Sequence, residues 1–134
     1  MNKLHRKYKY YLPPILWVLV IFCLCSMSRN SFPTIDEWQK MFFDKLVHLI
    51  MYCVLSVLLI VSFIKQNNSY TLKRYSFLFA ISLAALYGIF IELYQAYLIT
   101  SRSGDYYDII ANITGSFIGL LGFYIVYGKP RQYI

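Results

Sequence analysis

Six carboxylates serve a chain of 134 residues, and three of them, Glu92, Asp105 and Asp108, fall within two apolar stretches and the turn that joins them. Their neighbours repeat at helical spacing. Asp44, His48 and Tyr52 stand at i, i+4 and i+8; Gly88, Glu92 and Gln95 at i, i+4 and i+7; Asp108, Asn112, Gly115 and Gly119 at i, i+4, i+7 and i+11. Each set occupies one face of a helix. His48 or Glu92 could exchange a proton with a bound group, with Asp108 orienting it. Lys45 and Arg102 could hold an anionic group, and Asp44, Gln95 and Asn112 could line its binding place. No Ser or Cys nucleophile lies on any of the three faces. A divalent metal on Asp44, His48, Glu92 and Asp108 would suit those ligand types. The HExxH spacing is missing, and this reading assigns no metal.

The elements that must position these residues are membrane spans. The chain is 59% hydrophobic and 14% charged, where a soluble domain carries about 25% charge. About 20 mostly apolar residues cross a bilayer as a helix. Four segments approach this: 12–28, 46–64, 75–99 and 107–127. Pro13 and Pro14 fit a helix start, where missing donors cost nothing. The connections are short, which implies antiparallel neighbours. The expected fold is all-α: one membrane domain over 1–134, a bundle of four antiparallel transmembrane helices with a short tail at 128–134.

Charge sets the orientation. The amino tail, the connection after the second span and the carboxyl tail hold nine Lys and Arg; the other two connections hold four. The basic side faces the cytoplasm, so both termini are expected there. All six acids then fall at or near the opposite side. The net charge of +7 lies at span ends and forms no separate basic domain, which argues against a nucleic-acid partner. An alternative makes the first span a cleaved signal peptide; its A-x-A pattern is missing. Cys23, Cys25 and Cys53 sit in apolar runs and read as small hydrophobes. The segment SFPTIDEWQKMFF carries a capping box, Thr34 with Glu37. It reads equally as a headgroup-level helix or as an extension of the second span.

Energy favours turning the three polar faces towards one another, as a pocket that opens outward. A carboxylate at membrane depth costs roughly 2.5–3.5 kcal/mol. Glu92 lies about 10 Å inward from the end of its span, at 1.5 Å per residue, so it should face the bundle. Gly115 and Gly119, spaced GxxxG, let a neighbouring helix approach closely and bring Asp108 and Asn112 within reach of His48 or Glu92. The plainer reading is interhelical glue, at about 0.6 kcal/mol per bond. Glue explains Asn112, Gln95 and the glycines well, and the ionisable set less well.

The ordered set Asp44-Lys45-x-x-His48-x-x-x-Tyr52, Gly88-x-x-x-Glu92-x-x-Gln95 and Arg102-x-x-Asp105-x-x-Asp108-x-x-x-Asn112-x-x-Gly115-x-x-x-Gly119 resembles the VanZ-like family. The resemblance covers Asp44 to Gly119. It implies a small multi-pass protein of the bacterial cytoplasmic membrane, related to a namesake associated with teicoplanin resistance. Three functions follow as expectations. The pocket binds an envelope lipid, a lipid-linked intermediate or the glycopeptide itself; or a membrane-embedded enzyme acts on a lipid-linked phosphate or sugar through His48, Glu92 and Asp108; or Glu92 relays protons in an ion-coupled carrier. The carrier ranks last, because the spans are almost entirely apolar below Tyr52 and Gly119. The phosphotransbutyrylase label given to some family members finds no acyl-coenzyme-A site or phosphate-cradling loop in these residues. Cofactor and oligomeric state are left open.

Overall fold

A computed structural model describes residues 8–27, 36–99 and 105–129. Arg102 and Thr34, a candidate binding residue and half of the expected capping box, lie outside them. Every described element is a helix: α1 (Leu12–Ser26), α2 (Glu37–Lys65), α3 (Tyr70–Arg74), α4 (Ser76–Leu98) and α5 (Tyr106–Tyr127). Three of these, α2, α4 and α5, are long and apolar enough to cross a membrane. The fourth expected span is represented by α1, which is apolar but only 15 residues long. It opens with prolines in its first turn and ends where Met27 becomes extended.

The second span is longer than its apolar core. Residues 46–64 were expected, yet the helix begins at Glu37 and runs for 29 residues. No Gly or Pro interrupts it, and Lys40, Asp44 and Lys45 are tolerated in helices. At 1.5 Å per residue it is about 43 Å long, against roughly 30 Å of hydrocarbon. Trp38 and Phe42 on the added turns are 79% and 71% exposed, so the segment is a helical extension with aromatic side chains on its outside.

At the other end of α2 the chain turns in four residues. Gln66 is fully buried and closes this turn. Its Nε2 donates to the carbonyls of Phe63 at 3.1 Å and Ser69 at 2.8 Å. Its Oε1 accepts from the backbone of Asn68 at 2.7 Å and Ser69 at 2.9 Å. Ser69 then caps α3 by accepting from Leu72 N. One side chain thus satisfies backbone groups that a helix end leaves open.

Helix α2 is the hub, packed against each of the others, most extensively against α5. Apolar contacts form two clusters, one around Ile21, Tyr52, Leu55 and Ile91, the other around Ile60, Ala80 and Phe123. Helix α1 is tied down by side-chain hydrogen bonds in addition. Trp17 Nε1 donates to Met51 O at 2.9 Å, Tyr87 Oη to Val18 O at 2.8 Å, and Gln95 Nε2 to Cys25 O at 3.0 Å. The outward faces stay apolar, with Leu86, Phe90, Phe117 and Leu121 more than half exposed. Contiguous apolar surface of this extent is suited to lipid and unsuited to water.

The α2–α5 contact rests on glycine. A Cβ on Gly115 would run into the Leu49 carbonyl of α2, and one on Gly119 into Ser56 Oγ and the Cys53 carbonyl. Gly122, one turn further on, has nothing within 4 Å of its Cβ position. Gly115→Ala should therefore destabilise the protein by about 1–3 kcal/mol, because overpacking forces the helices apart. Gly122→Ala should be neutral or slightly stabilising, since Ala is the better helix former. Thermal unfolding in detergent, with the two variants side by side, checks the pair.

Candidate functional site

The polar faces meet at the amino-terminal end of α2 and α5 and the carboxyl-terminal end of α4. Contacts between α2 and α5 advance together: Lys45 with Asp108, His48 with Asn112, Leu49 with Gly115, Cys53 and Ser56 with Gly119. The glycines set the interhelix distance at the bottom of this series. The polar pairs occupy the top, one and two turns away.

His48 is the centre. Its ring is buried, 1% exposed. Nδ1 lies 2.9 Å from Asn112 Oδ1 and 3.7 Å from Glu92 Oε1. An amide oxygen only accepts, so Nδ1 carries the proton and the remaining lone pair of a neutral ring belongs to Nε2. Glu92, 3% exposed, is brought from α4 to the same nitrogen. Gly88, one turn earlier on α4, makes the approach possible. A Cβ there would sit 3.1 Å from Asn112 Cβ, 3.2 Å from Asn112 Nδ2 and 3.3 Å from Tyr52 Cε1. Asn112 Nδ2 and Tyr52 Oη are buried without a hydrogen-bond partner among the described residues. Such orphaned groups each cost about 1–3 kcal/mol. Ser116 Oγ donates back to the Asn112 carbonyl at 2.8 Å.

One turn towards the helix starts lies the ionic layer. Lys45 Nζ is 2.8 Å from Asp105 Oδ2 and 3.2 Å from Asp108 Oδ1, and 5.7 Å from the centre of the Tyr107 ring. Asp105 also caps α5 by accepting from Tyr107 N at 2.9 Å. Asp108, 3% exposed, is the acid of the first turn, where the helix dipole favours a negative charge. Asp44, His48 and Asp108 each present one nitrogen or oxygen, and these atoms lie within 4.8 Å of one another.

Of the residues singled out in the sequence, Asp44, Lys45, His48, Glu92, Asp108 and Asn112 therefore come together. Gln95 is buried too, but its amide nitrogen is engaged by the Cys25 carbonyl of α1. Lys45 differs from expectation in a way that matters for binding. Its ammonium is already matched by two carboxylates, so an anionic ligand would have to displace one of them. Asp105 entered the sequence reading only as one of the acids around the turn before α5; its ion pair with Lys45 went unanticipated. The signal was the i, i+3 spacing of Asp105 and Asp108, which puts both on one face.

The cluster can do two kinds of chemistry. A buried imidazole with a carboxylate near its protonated nitrogen can exchange a proton at the other. A His flanked by two aspartates can also ligate a cation.

Fold and site together define a helical membrane protein with an ionisable cluster buried between its long helices. The chain belongs to the VanZ/LLP1 family, whose model matches residues 5–127. Comparison with curated proteins and with solved structures yields no significant match.

Asn112→Leu should cost about 1–3 kcal/mol, because it strips the buried His48 Nδ1 of its acceptor. Gln95→Leu, which removes a single bond to α1, should cost nearer the ~0.6 kcal/mol typical of such interhelix bonds. Detergent unfolding midpoints measure both.

Proposed function

We propose that this is a multi-pass protein of the bacterial cytoplasmic membrane that lowers susceptibility to a lipid-bearing glycopeptide of the teicoplanin type. It does so by binding an envelope lipid, or the antibiotic, at the cluster around His48. In this reading α1, α2, α4 and α5 all span the bilayer in alternating directions as one domain. Both termini lie in the cytoplasm and the cluster lies under the outer leaflet. The placement of Lys and Arg supports the orientation. The family supports the link to glycopeptides.

The observation that carries the proposal is the burial of His48, Glu92 and Asp108 together between three helices. Ionisable groups at membrane depth are expensive and mark functional sites. Interhelix glue needs none of them, since Asn, Gln and Ser bond across helices without charge. Tyr52 Oη and Asn112 Nδ2, without a hydrogen-bond partner among the described residues, add hydrogen-bonding capacity to the cluster. A binding role needs no nucleophile, and the hydroxyls that continue these faces, Ser56 and Ser116, donate to the Cys53 and Asn112 carbonyls of their own helices. A membrane-embedded enzyme remains the second reading, favoured by the proton-bearing Nδ1 of His48 between Asn112 and Glu92.

Two experiments test this. A host lacking the chain and complemented with wild type should need more teicoplanin for inhibition than one complemented with Glu92→Gln or His48→Ala at equal protein level. A glycopeptide without an acyl chain should discriminate less. Equal inhibition in all strains would reject the function. For orientation, a fluorescent protein fused after the last residue should fluoresce and an alkaline phosphatase fused there should be inactive; the reverse pattern would put that terminus outside.

A further inference from the structure

The end of the bundle opposite the ionisable cluster holds a groove that the function above does not use. It lies between the start of α4 and the end of α5 and has a volume of about 370 Å³. Phe77, Leu78, Leu120 and Tyr124 line it together with two cations, Arg74 and Lys129. Arg74 closes the short helix α3 just before α4 begins, and its guanidinium lies 5.6 Å from the centre of the Tyr75 ring. Lys129 follows Gly128, which ends α5 at a φ of 74° and donates its amide to Tyr124 O at 2.8 Å. Such a left-handed residue after a helix favours glycine.

We propose that this groove binds one anionic phospholipid of the cytoplasmic leaflet, with its phosphate between Arg74 and Lys129 and an acyl chain against Phe77, Leu78 and Leu120. The leaflet follows from the orientation proposed above, and the chemistry of the ligand does not depend on it.

Three observations carry the proposal. The first is charge. Neither Arg74 nor Lys129 is in an ion pair among the described residues. Lys65 and Lys73, in the last turns of α2 and α3, add to the positive charge of this end. No acidic side chain is placed to neutralise it. At 1.5 Å per residue, Glu92 stands roughly 21 Å along α4 from Leu78, and Asp108 roughly 24 Å along α5 from Tyr124. Asp36, Glu37, Asp44 and Asp105 lie at the starts of α2 and α5, at that same far end.

The second is the pairing of charge with an apolar wall. Phe77 packs edge-on against Phe123 at 5.8 Å, so that wall is already formed, and Leu78 and Tyr124 remain exposed on the outside of the bundle. A free phosphate would leave the wall unused, and a neutral hydrocarbon would leave the cations unmatched. A phospholipid meets both. The volume falls in the range of small-molecule sites, about 300–1,000 Å³, which suits a single lipid. Basic pockets between transmembrane helices on the cytoplasmic side hold anionic head groups in this way.

The third is convergence. Membrane orientation requires Lys and Arg on the cytoplasmic side. It does not require two of them, from different connections, on one groove.

The test uses the full chain in neutral detergent, mixed with phosphatidylglycerol or with phosphatidylcholine of the same acyl chains, and counts bound lipid by native mass spectrometry. Expected is one phosphatidylglycerol per chain at concentrations where phosphatidylcholine does not bind. Each basic residue next to an anionic head group is worth about fivefold in affinity, so Arg74→Gln with Lys129→Gln should weaken binding about 25-fold. Both residues are exposed, so the double variant should fold, and its unfolding midpoint without lipid should match wild type. Lys65→Gln, at the same end but not on the groove, should bind as wild type does. Inorganic phosphate at the same concentration should not displace the lipid. Equal binding of the two lipids, an unaltered double variant, an equal loss in Lys65→Gln, or displacement by phosphate alone would each overturn the proposal. The groove and the cluster around His48 sit at opposite ends of α4 and α5, so these outcomes are independent of antibiotic susceptibility.

Discussion

Between α2 and α5 there is no room for a single methyl group at Gly115 and Gly119. That contact is van der Waals in nature, and in a bilayer this is the main force available, since lipid gives apolar helices no hydrophobic reason to associate. Its position decides what lies above it. With the two backbones in touch at Leu49 and Gly115, the next turn brings His48 to Asn112, and the turn after that brings Lys45 to Asp108. A wider interhelix gap would break the 2.9 Å bond to His48 and leave buried charges without partners. The polar cluster thus depends on the glycines, while the glycines gain little from the cluster.

The cluster has two layers with different physics. The lower one, His48, Asn112, Glu92 and Tyr52, is almost fully buried. The upper one, Lys45 with Asp105 and Asp108, is partly open: the Lys45 and Asp105 side chains are 24% and 28% exposed. Charges in the upper layer are screened by water and contribute little as a simple surface pair. Those in the lower layer interact in a low-dielectric setting, where any missing partner is costly. Asp108 belongs to both, joined to Lys45 above and within 4.8 Å of His48 below. A change in what Asp108 binds is therefore felt by both layers.

Much of this was legible in the sequence, because period and polarity suffice for it. Apolar length located the long helices to within a residue or two at most ends, and the i, i+4 spacing identified the faces that converge. Three things were less legible. The start of α2 at Glu37 was one of two equal readings, because hydropathy falls there while helix propensity does not, and the extension of the second span is the one that forms. The direction of Gln95 was ambiguous, since three residues after Glu92 it points about 60° away from it around the helix, and α1 rather than α5 supplied its partner. The pairing of Lys45 was hidden because positive residues near a span end were weighed as orientation signals and as anion ligands; only geometry shows that Asp105 and Asp108 reach it first. Arg102 lies outside the described residues, so its expected place in the site stays with the sequence argument.

The buried Gln66 has a consequence for the membrane itself. Most connections between spans need water or head groups to satisfy the ends of their helices. Here a single amide makes four such bonds, giving two and accepting two, and these bonds do not change with depth. Hydrophobic mismatch usually costs fractions of a kcal/mol per Å. Helix α2 is longer than an average bilayer is thick, and a tilt that accommodates this length leaves the four bonds of Gln66 intact.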